Sequence, residues 1–200
     1  MSSQNHGSED ELGRLAGELL REIASPRLLI GGLGLGYTLR AALDVLPSDA
    51  RVEVVEIVPA VVRWNRSVLG HLAKHPLDDP RVTLIEDDVA RVIARSTAAY
   101  DAIQLDVDNG PDPIFDGNAA LYRRSGLDAA FNAVAPGGIL SVWSSFESPS
   151  FTRWLRDTGF DVQLAMIRSK HRGGPRHYIW KAGRPAMPRV AEPPKRRNRR

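Results

Sequence analysis

Residues 28–36 have the sequence Leu-Leu-Ile-Gly-Gly-Leu-Gly-Leu-Gly, in which an apolar run enters a cluster of four glycines. The apolar run predicts a buried strand, and residues 38–46 beyond the glycines have a helical pattern. Glycine permits a tight turn and a close approach of the backbone to a ligand. The N-terminus of a following helix presents N–H groups to an anion. This strand–loop–helix unit therefore predicts a nucleotide-binding loop at Gly31, Gly32, Gly34 and Gly36.

An acidic residue follows at the spacing expected for a ribose contact. Glu56 ends the β-branched run at residues 51–56 and lies 20 residues after Gly36. A carboxylate at the end of this strand can accept hydrogen bonds from both ribose hydroxyls. Dinucleotide-binding proteins share the pattern, but Tyr37 stands where their third glycine is expected. That replacement favours a ligand without a pyrophosphate.

Strand and helix patterns alternate along the rest of the chain. The remaining strand patterns cover residues 81–85, 101–106, 139–143, 161–167 and 178–181. Pro136-Gly137-Gly138 is expected to form a sharp turn into the strand at 139–143. The alternation predicts an α/β fold with a mostly parallel seven-stranded sheet, helices on both faces and an antiparallel last strand.

Two helices are expected to bury an apolar stripe. The first begins at Ser8, where Ser8 and Glu11 have the spacing of a capping box. Its stripe contains Leu12, Leu15, Leu19 and Ile23, and that of the helix after the second strand contains Val61, Trp64, Val68 and Leu72.

Composition predicts a single domain in a cytoplasmic protein. The chain has 200 residues, no cysteine and a net charge of +3. Residues 186–200 carry six basic groups and one acid, so the segment has a charge of +5 and the rest has −2. We expect disorder at 1–8, one transferase domain at 9–185 and a disordered basic tail at 186–200. Nucleic acid is expected to bind only through that tail, a membrane span is not expected, and a homodimer is left open.

The motifs together resemble a known fold family. The glycine loop and Val-Glu-Val-Val-Glu-Ile-Val-Pro at 52–59 resemble the first two motifs of class I S-adenosylmethionine-dependent methyltransferases. Residues 87–89 and 100–106 resemble the acidic turn and fourth strand of that fold. The segments 121–124 and 135–140 are similar to spermidine synthases. The resemblance implies a Rossmann-like sandwich with strand order 3-2-1-4-5-7-6.

The resemblance also implies roles for individual residues. Asp88 would lie over the adenine edge, with Glu56 on the ribose and the glycine loop along the rest of the donor. Spermidine synthases carry acids just after the fourth strand, and Asp106 and Asp108 match that region, with the second acid one place early. These carboxylates would orient an amine acceptor and accept its proton.

The donor and the reaction stay open at this point. Gly34 stands where spermidine synthases usually have an aspartate that meets the amine of decarboxylated S-adenosylmethionine. The first hypothesis is a spermidine-synthase-like transferase that uses S-adenosylmethionine or its decarboxylated form to alkylate a small-molecule acceptor, an amine. A methyltransferase of a small molecule or RNA, and a non-catalytic nucleotide-binding protein, are the alternatives. No metal is expected, because His71 and His75 lack a third ligand.

Overall fold

The computed structural model describes residues 6–107, 110–111, 118–168 and 176–186, which form one sheet flanked by helices. The strands are β1 (Arg27–Gly31), β2 (Arg51–Val55), β3 (Val82–Ile85), β4 (Tyr100–Leu105), β5 (Val134–Ser144), β6 (Asp161–Arg168) and β7 (Arg176–Gly183). The helices are α1 (Gly7–Leu20), α2 (Tyr37–Leu43), α3 (Pro59–Asn65), α4 (Val89–Ala94), α5 (Ala119–Tyr122), α6 (Arg124–Ala133) and α7 (Pro149–Thr158). Two 3-10 turns lie at Gly70–Ala73 and Pro76–Asp78.

The sheet has the predicted strand order, β3-β2-β1-β4-β5-β7-β6. All neighbouring pairs up to β4–β5 are parallel, and β7 is antiparallel to both β5 and β6. The order reverses between β1 and β4, which are direct neighbours. Ligands of open α/β sheets bind at such a switch point, beyond the carboxyl ends of the strands. The predicted α/β fold class is confirmed.

Strand β1 is buried on both faces of the sheet, which explains why Leu28, Leu29 and Ile30 are all apolar. Leu29 of β1 points into a core that is completed by α4, α6 and α7. Leu28 and Ile30, its neighbours on the strand, point into a second core that is completed by α1, α2 and α3. Because successive side chains of β1 are buried in one core or the other, a ligand can reach this strand only at its end.

The turn predicted at Pro136–Gly138 is wrong, because these residues belong to β5. The strand begins at Val134, and its register against β4 shifts between Tyr100 and Ala102. Gly137 has a φ of 85°, and a Cβ on Gly138 would lie 2.6 Å from the Asp101 carbonyl oxygen. The glycines therefore form an irregularity within a paired strand.

Several expectations about helices also needed correction. The N-cap of α1 is His6, and the Ser8 hydroxyl donates to Glu9 instead of capping the helix. Trp64 and Val68 were expected to be buried with α3, but they are 50 % and 66 % exposed. The helix ends at Asn65, so Val68 lies beyond it and the stripe cannot continue. Leu19 and Ile23, expected to complete the stripe of α1, are also exposed.

Some expectations fall on other parts of the chain. Asp108 and nearly all of the tail at 186–200 lie outside the described residues. Across the ranges that the structure describes, every helix is too short or too polar to cross a bilayer.

Candidate active site at the carboxyl edge of the sheet

The glycine loop turns sharply at the end of β1 and packs against the end of β4. Gly32, Gly34 and Gly36 have φ values of 91°, 51° and 84°, a region that strongly favours glycine. A Cβ on Gly32 would overlap the carbonyl oxygen of Asp106. The Asp106 N–H in turn donates to the Gly31 carbonyl at 2.9 Å. The loop and the first residue after β4 therefore form one contiguous surface.

The Glu56 carboxylate is bonded directly to this loop. Its Oε2 accepts the Leu33 N–H at 3.0 Å, and its Oε1 accepts the Val58 N–H at 2.8 Å. The side chain is only 8 % exposed. Each carboxylate oxygen can accept a second hydrogen bond, so these backbone contacts orient Glu56 and leave capacity for two ligand hydroxyls.

Free backbone donors lie in the same loop. The N–H of Gly32 donates to Val55, and that of Gly36 donates to Leu33. Within the described part of the chain, no acceptor contacts the N–H groups of Gly34 and Leu35. Two adjacent unpaired amides beside a buried carboxylate can bind polar groups of a ligand.

Asp106 lies at the mouth of the crevice, between the glycine loop and α2. Its Oδ2 accepts a hydrogen bond from Thr38 Oγ1 at 2.6 Å. Burial raises the pKa of the Asp106 carboxyl to about 6, the nearby Glu9 carboxylate adds to the increase, and the Thr38 hydrogen bond opposes it. Part of the side chain remains accessible. Asp106 is therefore a carboxylate at neutral pH with more basicity than usual.

Asp88 stabilises the start of α4. It is the N-cap of α4, and its Oδ1 accepts the Ala90 N–H at 2.8 Å. It follows β3, the neighbour of the strand that ends before Glu56. Its other carboxylate oxygen has no hydrogen-bond partner among the described residues.

These residues can hold a nucleoside and present a basic carboxylate to a second reactant. The loop amides and Glu56 offer hydrogen bonds to a sugar, and Asp106 follows the adjacent strand at the switch point. A family model described as the spermine/spermidine synthase domain matches residues 17–155.

The chain belongs to the spermine/spermidine synthase family.

One relative is the polyamine aminopropyltransferase 2 of Pseudomonas aeruginosa, which is 33 % identical over 119 residues. The match covers 58 % of this chain and 32 % of that relative. The matched part of this chain covers 23 % to 43 % of the length of these curated relatives.

Solved structures share the fold of this family member. A spermidine synthase in complex with the transition-state analogue AdoDATO has a TM-score of 0.68 at 18 % identity, over 88 % of this chain and 58 % of that one. A precorrin-6y C5,15-methyltransferase from Geobacter metallireducens has a TM-score of 0.61 at 16 % identity, over 87 % of this chain and 88 % of that one. At these identities the likeness establishes the fold, in which spermidine synthases and methyltransferases are alike.

Two structural features beside the candidate site were not predicted from the sequence. Ile57, next to Glu56, is 64 % exposed and places an apolar surface beside the predicted ribose contact. The first turn of α1 reaches Asp106, because Thr38 lies within hydrogen-bond distance of both the Glu9 carbonyl and the Asp106 carboxylate. The spacing of Gly13 and Gly17 could have indicated it, since small residues four apart allow close helix contact.

The opposite edge of the sheet holds a cavity of about 390 Å³ that includes Arg51, Glu53 and Arg81 in its lining. Arg81 forms an ion pair with Asp79 at 2.8 Å, and Glu53 accepts the Tyr100 hydroxyl. Arg81 and Glu53 therefore stabilise the fold through these bonds. No cluster of three or more metal-binding side chains occurs in the described ranges.

Proposed function

We propose that this chain transfers an aminopropyl group from decarboxylated S-adenosylmethionine to an amine acceptor. The nitrogen lone pair of the acceptor attacks the carbon bonded to the sulfonium, and the carbon–sulfur bond breaks. Its electron pair stays on sulfur, which leaves as a neutral thioether, and the product nitrogen becomes a secondary ammonium. The one proton released is the proton that Asp106 takes from the acceptor ammonium before the attack. Membership of the spermine/spermidine synthase family supports this reaction class.

The hydrogen bond between Glu56 and Leu33 is the observation that carries the proposal. It fixes a carboxylate beside the glycine loop, at the edge where open α/β sheets bind nucleosides. In the proposed complex Glu56 accepts the two ribose hydroxyls. Ile57 packs against the purine, Asp88 lies near its edge, and the amides of Gly34 and Leu35 face the rest of the donor.

Asp106 is proposed to bind the acceptor amine and take its proton. An alkylamine is protonated at neutral pH and has no lone pair for attack until it loses that proton. A carboxyl with a pKa raised to about 6 is a stronger base than an ordinary aspartate and is still ionised at pH 7.5. The Thr38 hydroxyl fixes one of its oxygens, which leaves the other for the amine. Asp108 is proposed as a second acid, on its place in the sequence alone.

Calorimetric titration with both adenosyl donors tests the proposal. We expect decarboxylated S-adenosylmethionine to bind more tightly than S-adenosylmethionine. Transfer of its aminopropyl group to 1,4-diaminobutane should follow in a coupled assay. A folded chain that binds neither donor would contradict the proposal and leave a non-catalytic protein.

Methyl transfer from S-adenosylmethionine is the second candidate, because of Gly34. The residue has no side chain at a place where spermidine synthases usually carry an aspartate. The carboxylate of S-adenosylmethionine would then meet backbone amides instead of a like charge. Preferential binding of S-adenosylmethionine, with methylation of an amine or an RNA, would favour this candidate.

A further inference from the structure

Helix α1 lies closely against α2 and β4, so its first turn has a fixed place beside the site. A Cβ on Gly13 would lie 2.8 Å from the Ala41 side chain, and Gly17 faces Val45 just as closely. The Gln104 side chain of β4 donates to the Leu12 carbonyl of α1. These contacts hold the helix against β4, the strand that ends one residue before Asp106.

Glu9, in the first turn of α1, is a buried carboxylate without a cation. It is 5 % exposed, and its Oε2 accepts the Ser8 hydroxyl at 2.6 Å. Across the described ranges it forms no ion pair. Its charge contributes to the raised pKa of Asp106 and adds to the effect of burial on the pKa of Tyr37. A buried carboxylate is costly unless it is paired, so a second one beside Asp106 calls for a positive partner.

Buried polar atoms without partners lie on the sheet face that α1 covers. Gln104 and Ser141 are register neighbours on β4 and β5, and each is at most 1 % exposed. Gln104 Oε1 and Ser141 Oγ have no hydrogen-bond partner, and Trp143 Nε1 on the same face has none either. Asp106 follows two residues after Gln104 on this face. The two unsatisfied oxygens, on the sheet face that leads to the two carboxylates, favour a polar, positively charged group there.

We propose that Glu9 determines acceptor specificity in this protein, with its carboxylate and that of Asp106 binding one cationic amine between α1 and β4. The inference rests on the proposed function for the identity of the amine. The ammonium donates to both carboxylates, and the unpartnered oxygens of Gln104 and Ser141, which are buried under α1 on the same sheet face, add negative partial charge nearby. Glu9 thus holds the ammonium in place until Asp106 removes its proton.

Other titratable groups face this pair and bear on the test. Tyr37 of α2 has a pKa raised chiefly by burial. His177 of β7 has a pKa lowered by burial, which the Glu9 charge opposes, and its ring lies against Trp143 at 5.0 Å. A histidine whose pKa is depressed is neutral above pH 7 and supplies no compensating charge there. The positive N-terminus of the chain lowers the pKa of Asp106, but it is the smallest of the contributions. Binding of the amine should therefore increase with pH through the titration of Asp106, as this carboxyl becomes charged.

The test measures the Asp106 carboxyl directly, by carbon-13 NMR titration of the full chain with and without 1,4-diaminobutane. The variants are Glu9→Gln, Glu9→Asp and the control Glu11→Gln, which removes the same charge from an exposed position of α1. The diamine should lower the pKa of Asp106 from about 6 in the wild type and in the control. In Glu9→Gln that pKa should be lower by about half a unit or more without ligand, and diamine affinity should fall about tenfold.

The Glu9→Asp variant keeps the charge and should retain most of the affinity, which separates charge from a folding defect. Equal pKa values of Asp106 and equal diamine affinities in Glu9→Gln and Glu11→Gln would overturn the inference. The readout needs no turnover. A chain that binds diamine through Glu9 but binds no adenosyl donor would refute the proposed function alone, and donor binding without a Glu9 effect would refute this inference alone.

Discussion

Thr38 Oγ1 lies 2.6 Å from Asp106 Oδ2, so the second residue of α2 donates a hydrogen bond to the first residue after β4. The bond joins the helix after the glycine loop to the strand at the switch point. It favours the charged form of Asp106, whereas burial disfavours it. The pKa of Asp106 is therefore set by these two opposing effects, and a single substitution can change it.

Thr38→Val removes the donor and should raise the pKa of Asp106 above its present value of about 6. The acidic limb of kcat/KM for the acceptor should move to higher pH, because a larger fraction of Asp106 is protonated at each pH. A pH–rate profile measures the effect. Thr38→Ser keeps the hydroxyl and is the matched control, and an unshifted limb in Thr38→Val would show that the bond does not act on the reacting group.

Asp106→Asn should abolish turnover and leave donor affinity within a few fold, since Asp106 is proposed to bind the acceptor and not the donor. The variant should also be more stable at pH 8. The pKa of Asp106 is higher in the folded state than the ordinary value near 3.9, so the wild type loses stability as pH rises through about 4 to 6. Solvent reaches part of the side chain, and the expected gain in the free energy of unfolding is on the order of 1–2 kcal/mol.

Denaturant titrations at pH 4 and pH 8 separate the two states of Asp106. The difference between Asp106→Asn and wild type should be small at pH 4 and develop by pH 8. Unchanged turnover would remove Asp106 from the mechanism. A stability difference that is the same at both pH values would contradict the assigned direction of its pKa.

Glu56→Gln should weaken donor binding about tenfold or more. The carboxylate accepts two backbone N–H groups, whereas the amide has one oxygen and would direct its NH₂ group at the other N–H. Losing a charge-assisted bond costs about 1.5–3 kcal/mol. Isothermal titration with the preferred donor measures it. Glu53→Gln, on the strand that precedes Glu56, is the control, since its amide oxygen can still accept the Tyr100 hydroxyl at the far edge. Similar losses of donor affinity in both variants would argue against a ribose contact.

Arg81→Met should lower the free energy of unfolding by about 3 kcal/mol. Arg81 pairs with Asp79 and donates to the carbonyls of Leu43 and Leu46 at the edge opposite the site. Chemical denaturation checks the value. Arg91→Met is the control, because Arg91 is 77 % exposed and lies 3.8 Å from its partner, and it should change stability by no more than about 0.5 kcal/mol.

The Arg81 pair also sets a pH dependence. The Arg81 hydrogen bonds hold the pKa of Asp79 below its usual value, so the pair stabilises the fold above about pH 4 and loses its effect as pH falls through the folded-state pKa. The gap between wild type and Arg81→Met should therefore narrow in acid. A gap that widens below pH 4 would contradict this assignment.

The strand order and the glycine loop could be predicted because they depend on local patterns. Leu28 to Gly36 and Glu56 combine hydrophobic periodicity, glycine placement and chain order, and each of these survives in the structure. The parallel pairing of the strands and the right-handed crossover of β–α–β units then leave few possible strand orders. The resemblance to a family supplied the remaining order.

Asp106 was predicted from the resemblance, but the residues that surround it could not be predicted in this way. Glu9 belongs to a helix whose pattern shows that one face is buried but not which strand it covers, and Thr38 carries no motif of its own. The contact at Gly13 depends on backbone approach between α1 and α2, which leaves only a weak trace in the sequence. The exposure of Trp64 likewise depends on where α3 ends and on what lies beside it.

Mass analysis of the acceptor after one turnover tests the central claim most directly. The chain would be incubated with both adenosyl donors and 1,4-diaminobutane, with Asp106→Asn as the inactive control. The account predicts that the wild type adds one aminopropyl unit to the diamine and releases the matching thioether. An acceptor that gains only a methyl group, or one that stays unchanged while the donor is bound, would contradict it.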